Sequence, residues 1–328
     1  MASLSLNQST KNLSNYGMGC FPLGGSFRNT DGFVFAYGEV DDKASIKAIH
    51  KAIELGVNLF DTADVYGLGR SEKVLGDALK EYRDDVIIAT KFGSKFDEKN
   101  VLTGKGTTPK YIRHALEESM KRLQTDFIDI YQFHSSNHSL EESITVRDTL
   151  EELSNEGLIG GFGWSTDDPE RAALFAESKH CNSIQFALNV TMSNKKMIDL
   201  IEKKHIIGLI RSPLASGTLT GKYTKDTKVN SNHMLSQVDF SSERRTKIFE
   251  KLLEAQAYIS SQGYSLIQGL LLWVKHQSEY LIPMPGAKTI EQVTENFALL
   301  NSEQPNPSFF YHLDSLFNEF RDQQNTIR

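Results

Sequence analysis

Four polar side chains occupy positions from which they could deliver a proton to a substrate. Asp61, Tyr66, Lys91 and His134 each lie at, or just beyond, the end of a short apolar stretch that is predicted to be a β-strand. A lysine pairs with an aspartate, and a tyrosine beside that lysine has its phenolic pKa lowered from ~10 because the cation favours phenolate. With a histidine alongside, such a tyrosine suits protonation of an oxygen that is becoming an alkoxide while another group delivers hydride.

Each of these residues also has a structural interpretation. Asp61 and Lys91 could form an ordinary ion pair, Tyr66 could anchor a loop, and His134 could be a core histidine. Their joint position favours a site, because neighbouring strands lie ~4.8 Å apart and the carboxyl ends of the strands carry the active sites of (β/α)₈ barrels.

Eight apolar stretches, alternating with helical patterns, predict the strands that position these residues. The predicted strands are Tyr16–Phe21, Val57–Asp61, Val86–Lys91, Phe127–Phe133, Leu158–Trp164, Ser183–Leu188, Ile206–Arg211 and Tyr280–Met284. Several are apolar on successive residues, as is typical of parallel strands covered on both faces. Because no linker separates the units, we predict an α/β fold with a single (β/α)₈ TIM barrel domain over residues 1–328 and a recognisable core at about 16–300. An open doubly wound sheet is the alternative.

Helix boundaries and long loops complete this prediction. Thr108 and Asp168 each precede a proline, which marks a helix start, and Gly56 ends an apolar helical stripe. Two polar segments, 93–107 and 216–242, follow the third and seventh predicted strands. We expect both to be long loops at the C-terminal face of the barrel, where such loops are usually functional.

Composition and charge exclude several classes of protein. Lys and Arg total 36 against 42 Asp and Glu, a formal net charge of −6, and the chain has no basic block of the kind that nucleic-acid binders carry. Apolar stretches fall far short of the ~20 residues that span a bilayer, and the first residues do not resemble a signal peptide. With only two cysteines, a disulfide framework is not expected. We therefore expect a cytoplasmic protein that binds neither nucleic acid nor membranes.

Two motif-like patterns do not support a phosphate loop or a metal site. The stretch from Gly217 to Lys222 is one spacer short of a Walker loop and is followed by Tyr223 instead of Ser or Thr. His134 and His138 have a helical metal-ligand spacing, but they fall at a strand end and in the following loop. No metal site is predicted.

The residues around the four polar side chains resemble the signature of the aldo-keto reductase superfamily. The stretch from Gly56 to Gly67, followed by Ser71 and Glu72, carries the resemblance. Further matching segments follow in the family's order: 89–93, 129–134, 161–166, 212–217 and 285–296. The resemblance extends from about Tyr16 to Leu300, and the chain looks like the bacterial branch that includes general stress reductases and resembles potassium-channel β subunits.

The resemblance implies a function for each matching position. It implies a catalytic tetrad of Asp61, Tyr66, Lys91 and His134, with Tyr66 as general acid. It also implies that Ser165 and Gln185 hold the nicotinamide carboxamide, with Asn189 beside them. The residues implied at the pyrophosphate and its covering loop are Ser212, Leu214, Ser216 and Lys222, and those facing the adenosine are Gln292, Glu295 and Asn296.

The segment 285–296 has physical features of its own. Gly286 allows a close approach of the backbone, and Thr289 can cap a helix whose free amides attract anions. Lys288 adds a charge that suits the 2′-phosphate of NADP(H), although it lacks the planar fork of the arginine that is common in the family. An ordinary capped helix would account for the same residues one by one.

Arg211 departs from the family pattern, because many members place there an aromatic residue that stacks on the nicotinamide. A guanidinium could stack in its place or reach a negative group on the substrate or the cofactor. Phe21, Trp164 and the loop after Lys91 are the candidate walls of the substrate pocket.

These observations together predict NADPH-dependent reduction of aldehydes or ketones to alcohols. The expected partner is a small carbonyl compound, and the sequence does not indicate an oligomeric state. The main alternative is a reductase-like barrel that acts as a cofactor-bound sensor or partner subunit with weak catalysis. A metal-dependent barrel hydrolase is disfavoured because the sequence lacks ligand clusters.

Overall fold

Eight parallel strands form the centre of the molecule. A computed structural model describes residues 12–97, 99, 101–135, 138–300 and 302–322. In sheet order the strands are β1 (Met18–Gly19), β4 (Leu59–Asp61), β5 (Ile87–Phe92), β8 (Ile130–Phe133), β9 (Phe162–Ser165), β10 (Cys181–Ala187), β11 (Ile207–Arg211) and β12 (Leu281–Pro283). Each overlaps one of the eight predicted strands, so that part of the prediction is confirmed.

Hydrogen bonds between the first and last strands close the sheet into a barrel. Gly17 N donates to Pro283 O at 3.0 Å, and Gly19 N donates to Pro285 O at 3.1 Å. Every other pair of neighbours in the sheet is parallel and joined in register. The predicted (β/α)₈ barrel is therefore confirmed, and the doubly wound alternative is wrong.

Helices cover the outside of the barrel, and two of them begin at the caps predicted at Thr108 and Asp168. They are α1 (Asp42–Glu54), α2 (Arg70–Leu79), α3 (Pro109–Leu123), α4 (Leu140–Asn155), α5 (Pro169–Ala176), α6 (Lys195–Lys204), α7 (Glu243–Ser261), α8 (Leu266–His276), α9 (Ile290–Phe297) and α10 (Pro307–Asp322). The side chain of Thr108 accepts a hydrogen bond from Tyr111 N at the start of α3, and Asp168 accepts from Glu170 N at the start of α5. None of the described helices is long and apolar enough to cross a membrane.

Two small hairpins project from the C-terminal face of the barrel. One pairs β2 (Phe27–Arg28) with β3 (Val34–Phe35), and the other pairs β6 (Ser94–Phe96) with β7 (Leu102–Lys105). The second hairpin corrects our expectation of a long irregular loop at 93–107. By contrast, the segment 216–242 is a loop, as predicted, apart from a short 3₁₀ helix at Ala215–Gly217.

The strands separate two layers of packing. The barrel interior is filled by a small apolar cluster that comprises Leu13, Leu59, Ile87, Ala89, Ile130, Ile207, Leu209, Ile282 and Met284. A larger cluster joins the outer face of the sheet to the helices. Since side chains alternate along a strand, the inward positions beyond this cluster lie at the mouth of the barrel. On β4, β5, β8 and β11 those positions carry the polar residues Asp61, Lys91, Gln132 and Arg211.

Candidate active site

A buried ion pair with a tyrosine beside it lies at the mouth of the barrel. Lys91 Nζ donates to Asp61 Oδ2 at 2.7 Å, to the Thr62 carbonyl oxygen at 2.7 Å and to the hydroxyl of Tyr66 at 3.1 Å. The ammonium thereby uses all three of its N–H groups. Lys91 is fully buried and Asp61 nearly so, whereas Tyr66 is partly exposed.

Strand alternation and one tight turn bring these three residues together. Asp61 is paired in register with Ala89, and Lys91 lies two residues further along the same strand, so both side chains point into the barrel. Tyr66 returns over them because the chain turns after β4, where Tyr66 N donates to Ala63 O at 3.1 Å. Gly67 ends this turn with φ +60°, and a Cβ there would lie 1.7 Å from the Gly24 carbonyl oxygen.

Two glutamines hold the other carboxylate oxygen of Asp61. Gln132 and Gln185 donate to Asp61 Oδ1 at 3.0 and 2.9 Å. The Oε1 of Gln185 in turn accepts a hydrogen bond from the hydroxyl of Ser165 at 3.2 Å. Sequence reasoning did not assign Gln132, although its position two residues before His134 on a strand places both on the same face.

Aromatic rings surround the exposed side of Tyr66. Its ring lies 5.0 Å from that of Phe21 and 6.1 Å from that of His134, both edge-on. Phe21 therefore borders the site, in line with the sequence-based expectation. Trp164 does not: it is fully buried, packs on Phe175 in the layer outside the sheet, and donates its Nε1–H to Ser135 O. That expectation is wrong, because Trp164 precedes an inward-facing residue and so points outward.

Burial determines the direction of the pKa shifts at this site. It raises the pKa of the Tyr66 hydroxyl above 10.0, and the charge of Lys91 only partly counters this effect. The lysine acts in the predicted direction, but the predicted net lowering is wrong because burial outweighs it. Burial acts to lower the pKa of Lys91, yet Asp61 and Tyr66 more than offset it and hold that pKa above 10.5.

His134 is neutral at physiological pH. Burial, together with the positive charges of Lys91 and Arg211, lowers its pKa to about 3. Among the described residues its Nδ1 atom is buried without a hydrogen-bond partner. A neutral imidazole has one N–H to donate and one ring nitrogen that accepts, so His134 can orient a substrate oxygen without carrying charge.

Arg211 is the last inward-facing residue of β11. Leu209, two residues earlier, belongs to the cluster that fills the barrel, and Arg211 is paired in register with Ala187. Its guanidinium reaches across the end of β10 to form an ion pair with Asp167, which also accepts a hydrogen bond from Ala187 N at 2.8 Å. Sequence reasoning did not identify Asp167 as the partner, because nothing in the spacing links the ends of β9 and β11.

The segment that follows Arg211 is strained. Six non-glycine residues have positive φ in the described part of the chain, and three of them are Ser212, Ala215 and Ser216. Asn189 donates to the Ser212 carbonyl oxygen at 3.1 Å, and Leu214 is buried at the same bend. Left-handed backbone at such residues costs free energy and is concentrated at functional sites.

Four of the five residues predicted around the adenosine and its 2′-phosphate form two hydrogen-bonded pairs at α9. The Lys288 backbone N–H donates to Gln292 Oε1 at 2.9 Å, and Asn296 donates to Gly286 O at 3.4 Å. The fifth of these residues, Glu295, makes a different contact: its carboxylate accepts a hydrogen bond from the hydroxyl of Ser265, just before α8.

The Lys288 ammonium joins this helix end to the first loop of the barrel. It donates to Tyr37 O at 2.9 Å and to Glu39 O at 2.7 Å. Lys222 lies in the loop after β11 and is exposed. Its charge lowers the pKa of Lys288, an effect second to that of burial. Two cations held close together create a positive potential that favours an anion.

No group of three or more His, Cys, Asp or Glu side chains suited to a metal ion occurs among the described residues. The cluster at the barrel mouth instead holds one proton on a hydroxyl next to a fixed cation. That arrangement can donate a proton and stabilise the anion left behind.

A sequence model of the aldo/keto reductase family matches residues 24–317. The chain belongs to the aldo/keto reductase family. It is 30% identical over 315 residues to an uncharacterized oxidoreductase, YqkF, of Bacillus subtilis, covering 93% of this chain and 92% of that protein. It is also 29% identical to the NADH-specific methylglyoxal reductase of Escherichia coli, over 92% of this chain and 94% of that protein.

Solved structures of this family share the fold. A glycerol dehydrogenase of Gluconobacter oxydans superposes with a TM-score of 0.83 at 27% identity, over 97% of this chain and 96% of that one. An aldo-keto reductase of Klebsiella pneumoniae, solved with NADPH, superposes with a TM-score of 0.68 at 21% identity, over 96% and 94%. As an aldo/keto reductase the chain is an oxidoreductase, and no described helix spans a membrane.

Proposed function

We propose that this aldo/keto reductase converts an aldehyde or a ketone to an alcohol with NADPH, and that Tyr66 is the general acid. The reduced nicotinamide supplies a hydride to the carbonyl carbon when it is bound. The carbonyl π bond breaks as that hydride arrives, and the oxygen takes the proton from the Tyr66 hydroxyl. The observation that carries the proposal is the contact of 3.1 Å between the hydroxyl of Tyr66, a partly exposed residue, and the buried ammonium of Lys91.

The raised pKa of Tyr66 is compatible with an acid. Because burial keeps that pKa above 10.0, the hydroxyl is protonated before the reaction and ready to donate. When the proton leaves, the phenolate remains next to Lys91, whose charge is fixed by Asp61 and by the Thr62 carbonyl oxygen. The cation thus stabilises the product of the proton transfer more than the starting hydroxyl, which is how a fixed charge lowers a barrier.

In this proposal His134 and the two glutamines position the reacting groups. Neutral His134 can donate one N–H to the carbonyl oxygen and hold it near Tyr66. Gln132 and Gln185 fix Asp61 and therefore the direction of the Lys91 ammonium. A hydrogen bond to a charged group contributes about 1.5–3 kcal/mol, enough to keep these side chains in place.

The residues around the mouth of the barrel fit a dinucleotide with three phosphates. Ser165 and Gln185 present a hydroxyl and an amide at the centre of the site, where they would hold the carboxamide, with Arg211 beside them. The strained turn containing Ser212, Leu214 and Ser216 would follow the pyrophosphate, together with Lys222. The remaining five residues would hold the adenosine and its 2′-phosphate: Gly286, Lys288, Gln292, Glu295 and Asn296.

Cofactor choice in this proposal rests on Lys288 and Lys222. The Escherichia coli relative is NADH-specific, so family membership alone does not decide the matter. Both ammonium groups influence the pKa of His233, which burial lowers first and the two cations lower further. The lowered pKa leaves His233 neutral, and the two ammonium groups beside it suit a phosphate dianion better than a neutral ribose hydroxyl.

Replacement of Tyr66 by Phe tests the proposal. General-acid groups contribute ~10²–10⁴-fold, so we expect NADPH oxidation with a simple aldehyde to slow by that factor. Quenching of protein fluorescence should show that NADPH still binds. Tyr111→Phe is a suitable control, because its hydroxyl donates to Ser94 O, outside the tetrad.

A rate near that of the wild type in Tyr66→Phe, with the chemical step limiting, would show that another group donates the proton. Tight NADPH binding without turnover of any aldehyde by the wild-type protein would favour the sensor or partner-subunit alternative.

A further inference from the structure

We infer that Arg211 is a specificity-determining residue that binds a carboxylate on the substrate, so that this reductase prefers carbonyl compounds with a carboxylate group. This inference rests on the proposed carbonyl reduction and names the class of substrate for that same site. Three observations carry it: the position of Arg211 in the barrel, the state of its ion pair, and its relation to Tyr66 and His134.

The position of Arg211 directs its side chain over the reaction centre. On β10, Gln185 points into the barrel and contacts Asp61. Gln185 is paired in register with Leu209, and Arg211 is one inward step above Leu209. The guanidinium therefore lies one layer above the Asp61–Lys91 pair, at the depth where a substrate must enter to reach Tyr66.

Within the described part of the chain, the ion pair with Asp167 occupies only one edge of the guanidinium. The contact joins one Nη of Arg211 to Asp167 Oδ2, and both side chains are more than one-third exposed, at 38% and 36%. A guanidinium has five N–H donors in a plane, and a carboxylate can accept two of them in parallel. Asp167 also balances part of the charge, which suits a singly charged carboxylate better than a phosphate dianion.

The charge of the same guanidinium acts on both groups that would hold the carbonyl. Its charge contributes, after burial and Lys91, to lowering the pKa of His134, and it opposes the rise in the pKa of Tyr66. A small oxo acid could therefore place its carbonyl oxygen against Tyr66 and His134 and its carboxylate against Arg211. With a neutral aldehyde of the same length, that edge of the guanidinium would form hydrogen bonds with water and not with the substrate.

The experiment compares matched pairs of substrates: 4-oxobutanoate with butanal, and 4-carboxybenzaldehyde with 4-methylbenzaldehyde. We expect the wild type to favour the acid of each pair in kcat/KM, and Arg211→Met to lower that preference about 10- to 100-fold, as loss of a charged hydrogen bond predicts. Arg211→Lys should lose part of the preference for the acid, since lysine keeps the charge but not the planar fork. Asp167→Asn should raise that preference, because a competing carboxylate is removed.

Arg171→Met is the matched control. Arg171 lies on α5, outside the barrel strands, where it pairs with Asp168, one position along from Asp167, and its Nε–H donates to His138 O. The acid-to-neutral ratio should stay at its wild-type value in this variant. An unchanged acid-to-neutral ratio in Arg211→Met would overturn the carboxylate assignment. So would a wild-type preference for glyceraldehyde 3-phosphate over glyceraldehyde that is as large as the preference for the carboxylic acids over their neutral partners.

A binding measurement separates this inference from the proposed function. Calorimetry with the NADP⁺-loaded protein compares 4-(hydroxymethyl)benzoate with 4-methylbenzyl alcohol in wild type and Arg211→Met. Tighter binding of the acid that depends on Arg211 supports the inference even if no aldehyde is turned over, in which case only the proposed reaction fails. Equal binding of the two alcohols by the wild type overturns the inference.

Discussion

The protonation states at the barrel mouth follow from which side chains are buried and which are not. Asp61 and Lys91 are removed from water and satisfy each other, whereas Tyr66 and His134 reach the surface of the pocket with a proton on the first and no charge on the second. A carbonyl oxygen that enters would thus meet two uncharged donors and, behind them, one fixed cation. Such a site stabilises negative charge only as it develops.

Lys91→Met should change both the stability and the pH dependence of the enzyme. It leaves Asp61 buried without its cation, and breaking a buried ion pair costs about 3–5 kcal/mol. It also removes the charge that lowers the pKa of Tyr66, so that pKa should rise further. Alcohol oxidation, which in the proposed mechanism needs the Tyr66 phenolate, should therefore reach half its maximal rate at a higher pH.

Urea unfolding and a pH profile of alcohol oxidation measure the two effects. Lys247→Met serves as the control, because Lys247 pairs with Glu243 on an exposed face of α7 and should change neither quantity. An unshifted pH profile in a folded Lys91→Met protein would contradict the part assigned to the cation.

At the scale of elements, neighbouring residues of β5 point to opposite faces of the sheet and therefore have different roles. Lys91 points into the barrel, and Thr90 points outward, where its hydroxyl donates to the buried carboxylate of Glu72 at 2.6 Å. Glu72 on α2 also accepts from Arg122 Nε on α3 at 2.7 Å. Two helices are thereby tied to the strand that carries Lys91, which limits the movement of the ammonium.

These elements show what sequence could and could not predict. The barrel strands were predictable because residues with both faces covered are apolar in succession, and the contact between Asp61 and Lys91 was predictable because both end such strands. The place of Tyr66 depends on the turn after β4. The 94–105 hairpin was not, since β6 and β7 are short, only Phe96 and Leu102 in them are apolar, and none of their residues is fully buried. Asp167 was equally hidden, because its pairing with Arg211 depends on how three strand ends are arranged in space.

Gly67→Ala should displace the turn that carries Tyr66. A Cβ at Gly67 would meet the Gly24 carbonyl oxygen at 1.7 Å, so the backbone must move, and a displacement of ~1 Å near the reacting atoms can cost ~10²-fold in rate. Gly32→Ala is the matched control: Gly32 also has a positive φ, +81°, but nothing lies within 4 Å of the added carbon.

Steady-state kinetics and urea unfolding of the two glycine variants separate two effects. The cost of the left-handed backbone is common to both variants, whereas the close contact with the Gly24 carbonyl oxygen occurs only in Gly67→Ala. Both should lose ~1–2 kcal/mol to the left-handed conformation, and only Gly67→Ala should lose most of its turnover. Equal kcat values in the two variants would contradict a positioning part for this turn.

At the scale of the whole molecule, three distant segments meet over the proposed cofactor site. Met234 N, in the loop after β11, donates to Ala36 O at 2.9 Å, and Tyr37 pairs with His233 in an isolated bridge. Lys288 Nζ, just before α9, donates to Tyr37 O and Glu39 O. The first, seventh and eighth βα connections of the barrel are therefore fastened to one another by a single ammonium and a few backbone bonds.

Lys288 therefore has two roles at the proposed cofactor site that can be measured separately. As a tie between connections it affects any dinucleotide that must pass beneath them, whether or not a 2′-phosphate is present. As a cation near Lys222 it affects only the phosphorylated cofactor. Lys288→Met should therefore weaken NADPH binding by about 10- to 100-fold more than NADH binding, since the loss of the tie is common to both and cancels in the ratio.

Fluorescence titration of both cofactors against wild type, Lys288→Met and Lys225→Met measures that ratio. Lys225 lies on the same loop as Lys222 but is exposed and outside the set of proposed cofactor residues, so its replacement should leave the ratio unchanged. If the NADPH and NADH dissociation constants rise by the same factor in Lys288→Met, the lysine only fastens the connections. The preference for the phosphorylated cofactor would then have to come from Lys222 or be absent, as in the NADH-specific relative.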